Sequence, residues 1–199
     1  MTINGIFNDE LDARANKRTL EDKLVKNLNS QPVVVDFLYN PSHFAGLQDL
    51  LDAVGQKYFE EKTINDYDIK KILSDASQKV KTQKLLLVAH SQGNFYANSF
   101  YDTVADQTGG VPKESIGIYS VANPASRVAG NGKWLTSDTD KVISTFVASV
   151  PFKKIMPPNI HIELQAGDDF AGHGFSEVYL KYKGGDIVTG IKLSLDELS

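Results

Sequence analysis

Residues 84–93, KLLLVAHSQG, carry the strongest fold signal in the chain. Residues 84–89 form a continuous apolar run of strand length, which predicts a strand buried on both faces of a parallel sheet. From Gln92 a helical pattern follows, with apolar residues at Ala97, Phe100, Tyr101 and Val104. A strand is therefore expected to run straight into a helix, with Ser91 at the turn.

Strands and helices alternate on both sides of this stretch. Before it, strands are predicted over residues 2–7 and 32–39, and helices within 8–29, over 44–58 and over 65–80. After it, strands are predicted over 115–121, 133–136 and 159–165, and helices over 142–150 and 174–183, with 186–199 also favouring a helix. Six strands alternating with helices predict an α/β fold with a doubly wound, mostly parallel sheet and helices on both faces.

Composition bounds the function. The 199 residues, 41% of them hydrophobic, predict one globular domain over 1–199. A net charge of -4 without a basic run argues against nucleic acid as a partner, and the absence of cysteine excludes thiolate catalysis and disulfides.

The chain offers no apolar stretch near the ~20 residues of a membrane-spanning helix, and its first residues lack the pattern of a signal peptide. We therefore expect no integral membrane segment and a cytoplasmic protein. A trimmed chain or a signal already removed would leave the compartment open.

The turn after the apolar strand has a small-x-Ser-x-small sequence, Ala89-His90-Ser91-Gln92-Gly93. Such a nucleophile elbow holds the serine in a strained turn, where small flanking residues let the strand and helix approach closely. The N–H of Gln92 would then lie where oxyanion charge develops. The alternative is that Ser91 merely caps a helix.

The elbow and the alternation around it resemble the α/β-hydrolase superfamily over nearly the whole chain, and are similar to its small lipases and esterases. Ala89 stands where glycine is commoner. The resemblance implies a Ser-His-Asp triad in the chain order serine, acid, histidine. It also implies an acyl-enzyme intermediate on Ser91.

The resemblance narrows the choice of base among the four histidines. His43 and His90 precede the nucleophile, and we expect the turn to direct His90 away from the site. His161 lies in a predicted strand, near its amino end. His173, in a glycine-flanked loop after that strand, matches the superfamily's histidine; the alternative is an ordinary solvated loop side chain.

The acid should follow the penultimate strand, where it would orient the histidine. Asp140 resembles the superfamily's aspartate shortly before a valine that opens the next helix, and is preferred to Asp138. Asp168 and Asp169 precede His173 closely and stay open as alternatives, although loop-turn roles suit them better.

Two further predictions concern the edges of the site. Ile3-Asn4-Gly5-Ile6 resembles the His-Gly-x segment of many lipases, which implies that the N–H of Ile6 is a second oxyanion donor beside Gln92; a plain glycine turn is the alternative. The apolar residues 146–156 (FVASVPFKKIM) would form either a lid or, more simply, a core helix and its exit.

These residues predict a serine hydrolase acting on a small-molecule or lipid ester, with thioesters and amides still open. No histidine pair has metal-ligand spacing and no phosphate-binding glycine loop occurs, so neither metal nor cofactor is expected. The alternative function is a catalytically silent α/β-hydrolase fold that binds a small molecule or a protein.

Overall fold

A computed structural model of the chain describes residues 2–3, 10–24, 27–28, 31–35, 37–38, 84–105, 111–149 and 155–199. The strands are β1 (Thr2–Ile3), β2 (Asn27–Leu28), β3 (Gln31–Pro32), β4 (Phe37–Leu38), β5 (Leu85–His90), β6 (Ile116–Val121) and β7 (Lys133–Leu135). The helices are α1 (Glu10–Lys23), α2 (Gly93–Val104), α3 (Lys141–Ser149) and α4 (Lys181–Asp196), the last preceded by a π-helical segment, Phe175–Leu180. The helices predicted over 44–58 and 65–80 lie outside the described residues.

The main sheet has the strand order β4-β1-β5-β6-β7, and every neighbouring pair in it is parallel. Its centre is β5, which pairs along its whole length with β6, from Leu85 opposite Ile116 to His90 opposite Val121. The α/β class with a parallel sheet is thereby confirmed. The strand predicted over 32–39 is divided, because β3 pairs with β2 in a separate antiparallel ribbon while β4 joins the sheet.

The apolar run of β5 is continuous because both of its faces are buried. Successive side chains of a strand point to opposite faces. Leu87 and Ala89 pack with Ala97 and Phe100 of α2, in a cluster with Ile116 and Ile118. Leu86 and Val88 pack with residues of the π-helical segment and α4, in a cluster that includes Tyr119, Val178, Ile187 and Ile191. Truncating a side chain as buried as Leu87 to alanine would cost about 2–5 kcal/mol.

The prediction of a strand over 159–165 is wrong. The segment forms a single isolated bridge, between Ile160 and Ser137, and a few backbone hydrogen bonds to residues 136–138, just beyond the end of β7, but no regular ladder. The reason lies in Asn159. Its side-chain amide donates to the carbonyl of Trp134 at 2.8 Å and accepts from the N–H of Thr136 at 2.9 Å. A side chain thus occupies the positions that a neighbouring backbone would take, and no ladder forms.

The C-terminal segment is helical, as predicted for 174–183 and favoured for 186–199. The π-helical segment runs directly into α4, which ends at Asp196. Two hydrogen bonds then tie Ser199 to the residues just before β6: its N–H donates to the carbonyl of Glu114 at 2.8 Å, and its carbonyl accepts from the Ser115 hydroxyl at 2.7 Å. The end of α4 is thereby attached beside the sheet.

Candidate active site

Ser91 lies at the turn between β5 and α2 with a φ of 55°. This left-handed conformation costs a non-glycine residue about 1–2 kcal/mol, so the surroundings must hold it. The N–H of Ser91 donates to Val121 at 3.1 Å, and its carbonyl accepts from the N–H of Asn94 at 3.0 Å. The neighbouring strand and the first turn of the helix together fix the strained serine.

Asn94 fixes the same turn through its side chain. Its amide donates to the carbonyls of Ser91 at 2.8 Å and Val121 at 3.1 Å, and it accepts from the hydroxyl of Ser120 at 2.5 Å. The residue is 2% exposed. Sequence reasoning missed it, although an asparagine three positions beyond the serine, in the first turn of a largely buried helix, was a usable signal.

The structure brings Ser91, His173 and Asp140 together in one hydrogen-bonded row. His173 Nε2 lies 2.8 Å from Ser91 Oγ, and His173 Nδ1 lies 2.8 Å from Asp140 Oδ2. Ser91 is 1% exposed, His173 6% and Asp140 0%. Because an ionised carboxylate only accepts, Nδ1 carries the ring proton, and Nε2 is left to accept the proton of the serine hydroxyl.

Asp140 is a buried carboxylate whose lone pairs are all engaged. Oδ1 accepts from the N–H groups of Val142 at 3.0 Å and Ile143 at 3.1 Å, at the N-terminus of α3. Oδ2 accepts from His173 and from the Tyr179 hydroxyl, each at 2.8 Å. A helix N-terminus and four donors stabilise the negative charge that burial would otherwise disfavour.

Tyr179 joins the acid to the end of strand β7. Its hydroxyl donates to Asp140 and accepts from the N–H of Ser137 at 3.1 Å. Burial, and then the negative charge of Asp140, raise the pKa of Tyr179 well above its ordinary value, so the hydroxyl stays a neutral donor. The π-helical segment delivers it, because the N–H groups of Val178 and Tyr179 both donate to Gly174. Nothing in the sequence pattern predicted this contact.

The other three candidate acids bond elsewhere. Asp138 pairs at the surface with His161 at 2.9 Å, and both side chains are largely exposed. Asp168 binds the ammonium of Lys181 and the hydroxyl of Tyr182. Hydrogen bonds from Lys181, then from Tyr182, lower the pKa of Asp168 to about 2. Of the candidate acids, Asp140 is the one that meets the His173 ring.

Asp169 shapes the loop of the histidine rather than its ring. Its carboxylate accepts from the N–H groups of Ala171 at 3.0 Å, His173 at 3.0 Å and Gly174 at 3.3 Å. Partial burial raises the pKa of Asp169, but these backbone donors lower it by more, so the net direction is downward. The ionised form therefore holds the loop.

Gly172 gives the loop its turn. Its φ is +66°, and a side chain there would meet the carbonyl of Thr139 at 3.2 Å and Leu164 at 3.0 Å. The residue before His173 thus needs both the backbone freedom and the small size of glycine. Just before it, the carbonyl of Ala171 accepts from the backbone N–H of Lys141 at 2.9 Å, which ties the loop to the start of α3.

Of the two predicted oxyanion donors, the structure describes Gln92. It immediately precedes α2, is fully buried, and within the described ranges its N–H has no backbone acceptor. A free N–H at a helix N-terminus beside Ser91 is suited to developing negative charge. Ile6 lies outside the described residues. So do 150–154 of the apolar segment 146–156, of which Phe146 is buried in α3.

Two of the remaining histidines are placed differently from the predictions. His161 is exposed on the irregular segment after Pro158, not on a strand. His90 was expected to point away from the site, yet its ring centroid lies 4.9 Å from that of His173. His43 lies outside the described residues.

Among the residues that the structure describes, no group of three or more histidine, aspartate or glutamate side chains is arranged to hold a metal ion. Within the same residues, no helix is both long and apolar enough to cross a membrane. Comparison of the chain with known protein families, curated proteins and solved structures found no match. The case for function therefore depends on the geometry of the site itself.

Proposed function

We propose that this protein is a serine hydrolase that cleaves an ester-type bond, in a carboxylester or a lipid, through an acyl-enzyme intermediate. The observation that carries the proposal is the row Ser91 Oγ, His173, Asp140, with both hydrogen bonds at 2.8 Å and the serine on a strained strand-to-helix turn. A nucleophile, a base and an orienting acid in this order are the requirements of serine catalysis.

We further propose that the chain is an α/β-hydrolase with a doubly wound, mostly parallel sheet. Parallel pairing and core clusters on both faces of β5 support this layout. The position of Ser91 at the carboxyl end of a central strand supports it as well, since sites in such sheets form at that edge.

In the first half of the reaction, Ser91 Oγ attacks the ester carbonyl while His173 Nε2 takes the hydroxyl proton. The N–H of Gln92, with that of Ile6 by resemblance, donates to the oxyanion of the tetrahedral intermediate. Asp140 holds the ring and stabilises the imidazolium. The intermediate then collapses: His173 gives the proton to the leaving alcohol, and the acyl group stays on Ser91.

In the second half, water attacks the acyl-enzyme with His173 again as the base. The Ser91–acyl bond breaks, the serine recovers its proton from His173, and the carboxylic acid leaves. General base catalysis of this kind contributes about 10²–10⁴-fold, and each oxyanion donor about 10²–10³-fold. The burial of Ser91 and His173 strengthens both contributions to the rate, because electrostatic interactions are stronger away from water.

Labelling with a fluorophosphonate probe, which modifies activated serines, tests the proposal. Wild type should be labelled and Ser91→Ala should not. The matched control is Ser144→Ala, an exposed serine on α3, which should be labelled like wild type. His173→Ala should abolish labelling, whereas the surface variant His161→Ala should not. Equal labelling of wild type and Ser91→Ala would contradict the proposal. Absence of labelling in a folded wild-type protein would contradict it too, and would favour a catalytically silent binding protein.

Substrate class follows from hydrolysis of p-nitrophenyl esters with short, medium and long acyl chains. Turnover that rises with chain length favours a lipid, and turnover confined to short chains favours a small carboxylester.

A further inference from the structure

His90 directly precedes Ser91 and contacts the backbone of the base. Its Nε2 lies 2.8 Å from the carbonyl oxygen of His173, and the residue is 3% exposed. The rings of the two histidines are tilted against each other at a centroid distance of 4.9 Å. His90 and Ser91, which are adjacent at the end of β5, therefore both contact His173 of the loop.

These contacts form a closed hydrogen-bonded loop that joins His90, Ser91 and His173. Ser91 Oγ bonds the side chain of His173, while His90 Nε2 bonds its main chain, each at 2.8 Å. The peptide bond between His90 and Ser91 completes this closed loop. Since the two hydrogen bonds start from adjacent residues of a fixed strand end, the position of the imidazole relative to Ser91 is determined from two directions.

The chemistry of the contact determines the form of His90. A carbonyl oxygen only accepts, so Nε2 of His90 carries the proton. Its Nδ1 is buried and has no hydrogen-bond partner among the described residues. Burial, and then the nearby His173, hold the pKa of His90 well below its usual value, more than the bond to the His173 carbonyl raises it. His90 is therefore a neutral donor.

Neutrality suits a neighbour that must become a cation. The rings packed closest to His90 are those of His173, Phe175 and Tyr179, with centroids at 4.9, 5.3 and 6.0 Å. Two described carboxylates are reached through them: Asp140, which the Tyr179 hydroxyl and the His173 ring engage, and Asp169, which accepts the backbone N–H of His173 at 3.0 Å. Neither carboxylate bonds the His90 ring, whose Nδ1 has no partner among the described residues.

We propose that His90 is a positioning residue, which holds the main chain of His173 so that the imidazole keeps its hydrogen bond to Ser91 during acyl transfer. The inference rests on the proposed function, and it adds a residue that touches neither substrate nor reacting atoms. Without His90, the carbonyl of His173 loses its buried donor and the loop can shift. A misplacement of ~1 Å at a reacting group costs about 10²-fold in rate.

Two substitutions distinguish the hydrogen bond of His90 from the space that its ring fills. His90→Phe keeps a planar ring of similar size but no donor, whereas His90→Gln keeps an N–H that reaches a similar point. His90→Phe should lower kcat by about 10–10²-fold with KM nearly unchanged, because the base and not the substrate is displaced. His90→Gln should recover most of that loss. His161→Phe, at the surface, is the control and should leave kcat unchanged.

Nuclear magnetic resonance of ¹⁵N-labelled imidazoles makes the test independent of turnover. In wild type, His90 should be neutral with its proton on Nε2. The Nδ1 proton of His173, which is hydrogen-bonded to Asp140, should give a downfield signal. His90→Phe should weaken or shift that signal, and His90→Gln should keep it. A wild-type His90 protonated on Nδ1 would overturn the proposal whether or not the variants fold.

The two proposals fail in distinguishable ways. If wild type is labelled at Ser91 and hydrolyses esters, but His90→Phe retains full kcat and an unchanged His173 signal, the positioning role is wrong and the hydrolase proposal stands. If no Ser91-dependent turnover exists while His90→Phe still displaces the His173 signal, the hydrolase proposal is wrong, but His90 still positions the main chain of His173.

Discussion

Asp138 and Asp140 are separated by a single residue, yet their carboxylates bond different histidines in opposite environments. Asp138 meets His161 at 2.9 Å on the surface, and Asp140 meets His173 at 2.8 Å in the interior. An exposed hydrogen bond is readily replaced by one to water, whereas a buried carboxylate that loses a donor is left with an unsatisfied charge. The same pair of residue types therefore supplies both a test of the site and its control.

Asp140→Asn should reduce kcat by about 10⁴-fold, because an amide can donate to Nδ1 and so favour the wrong ring tautomer. Asp138→Asn should leave kcat close to that of wild type. Ester hydrolysis under saturating substrate measures both, with thermal unfolding to verify that each variant folds. A comparable loss of kcat in the two variants would mean that Asp140 has no special part in the reaction.

Asn94→Ala should lower both stability and activity. It removes the donor to Ser91 and Val121 and leaves the Ser120 hydroxyl without its buried acceptor, at a cost of about 1–3 kcal/mol. Because Ser91 is strained, kcat should fall as the turn relaxes. Urea unfolding and kcat are the measurements.

Asn98→Ala is the matched control for Asn94→Ala. Asn98 lies one helical turn further along α2, is equally buried, and bonds the backbone of Arg127 at 3.1 Å and Ala129 at 2.8 Å. It should lose a similar free energy of unfolding but keep its kcat. Equal effects of the two variants on kcat would reduce Asn94 to a general stabilising residue.

Tyr179→Phe should destabilise the fold by about 1–3 kcal/mol, since it leaves the buried N–H of Ser137 without an acceptor. Asp140 also loses one of its donors, so kcat should fall, though by less than in Asp140→Asn. The comparison variant is Tyr182→Phe, whose hydroxyl bonds Asp168 outside the row. If Tyr179→Phe is destabilised without any change in kcat, its hydroxyl supports the fold alone.

Asp168→Asn should lower the melting temperature at neutral pH but not in strong acid. The folded pKa of Asp168, about 2, lies below the value of about 3.9 for an unfolded aspartate. Its charge therefore stabilises the fold above about pH 4, and this contribution is lost as the pH falls through about 2. Melting temperatures of wild type and variant should differ at pH 7 and converge towards pH 2. A difference that stays constant would show that the charge is not responsible.

The order of strands and helices in the described regions was largely predictable, because its signals are local. Both-face burial makes β5 an unbroken apolar run, and the small residues around Ser91 mark a turn that larger side chains would obstruct. The segment 159–165 misled the prediction for the opposite reason. Its alternating pattern is that of a strand, but the amide of Asn159 occupies the edge of β7, which no periodicity reveals.

Local patterns were enough to predict the turn at Ser91, the parallel sheet beneath it and a short set of candidate acids and bases. The folded chain was needed to show that Asp140 meets His173, that Tyr179 and Asn94 bond the acid and the turn, and that His90 contacts the main chain of the base. These contacts join residues far apart along the chain: that of His90 with His173 spans 83 residues and that of Tyr179 with Asp140 spans 39. Such contacts arise from how helices pack on the sheet, which local patterns do not encode.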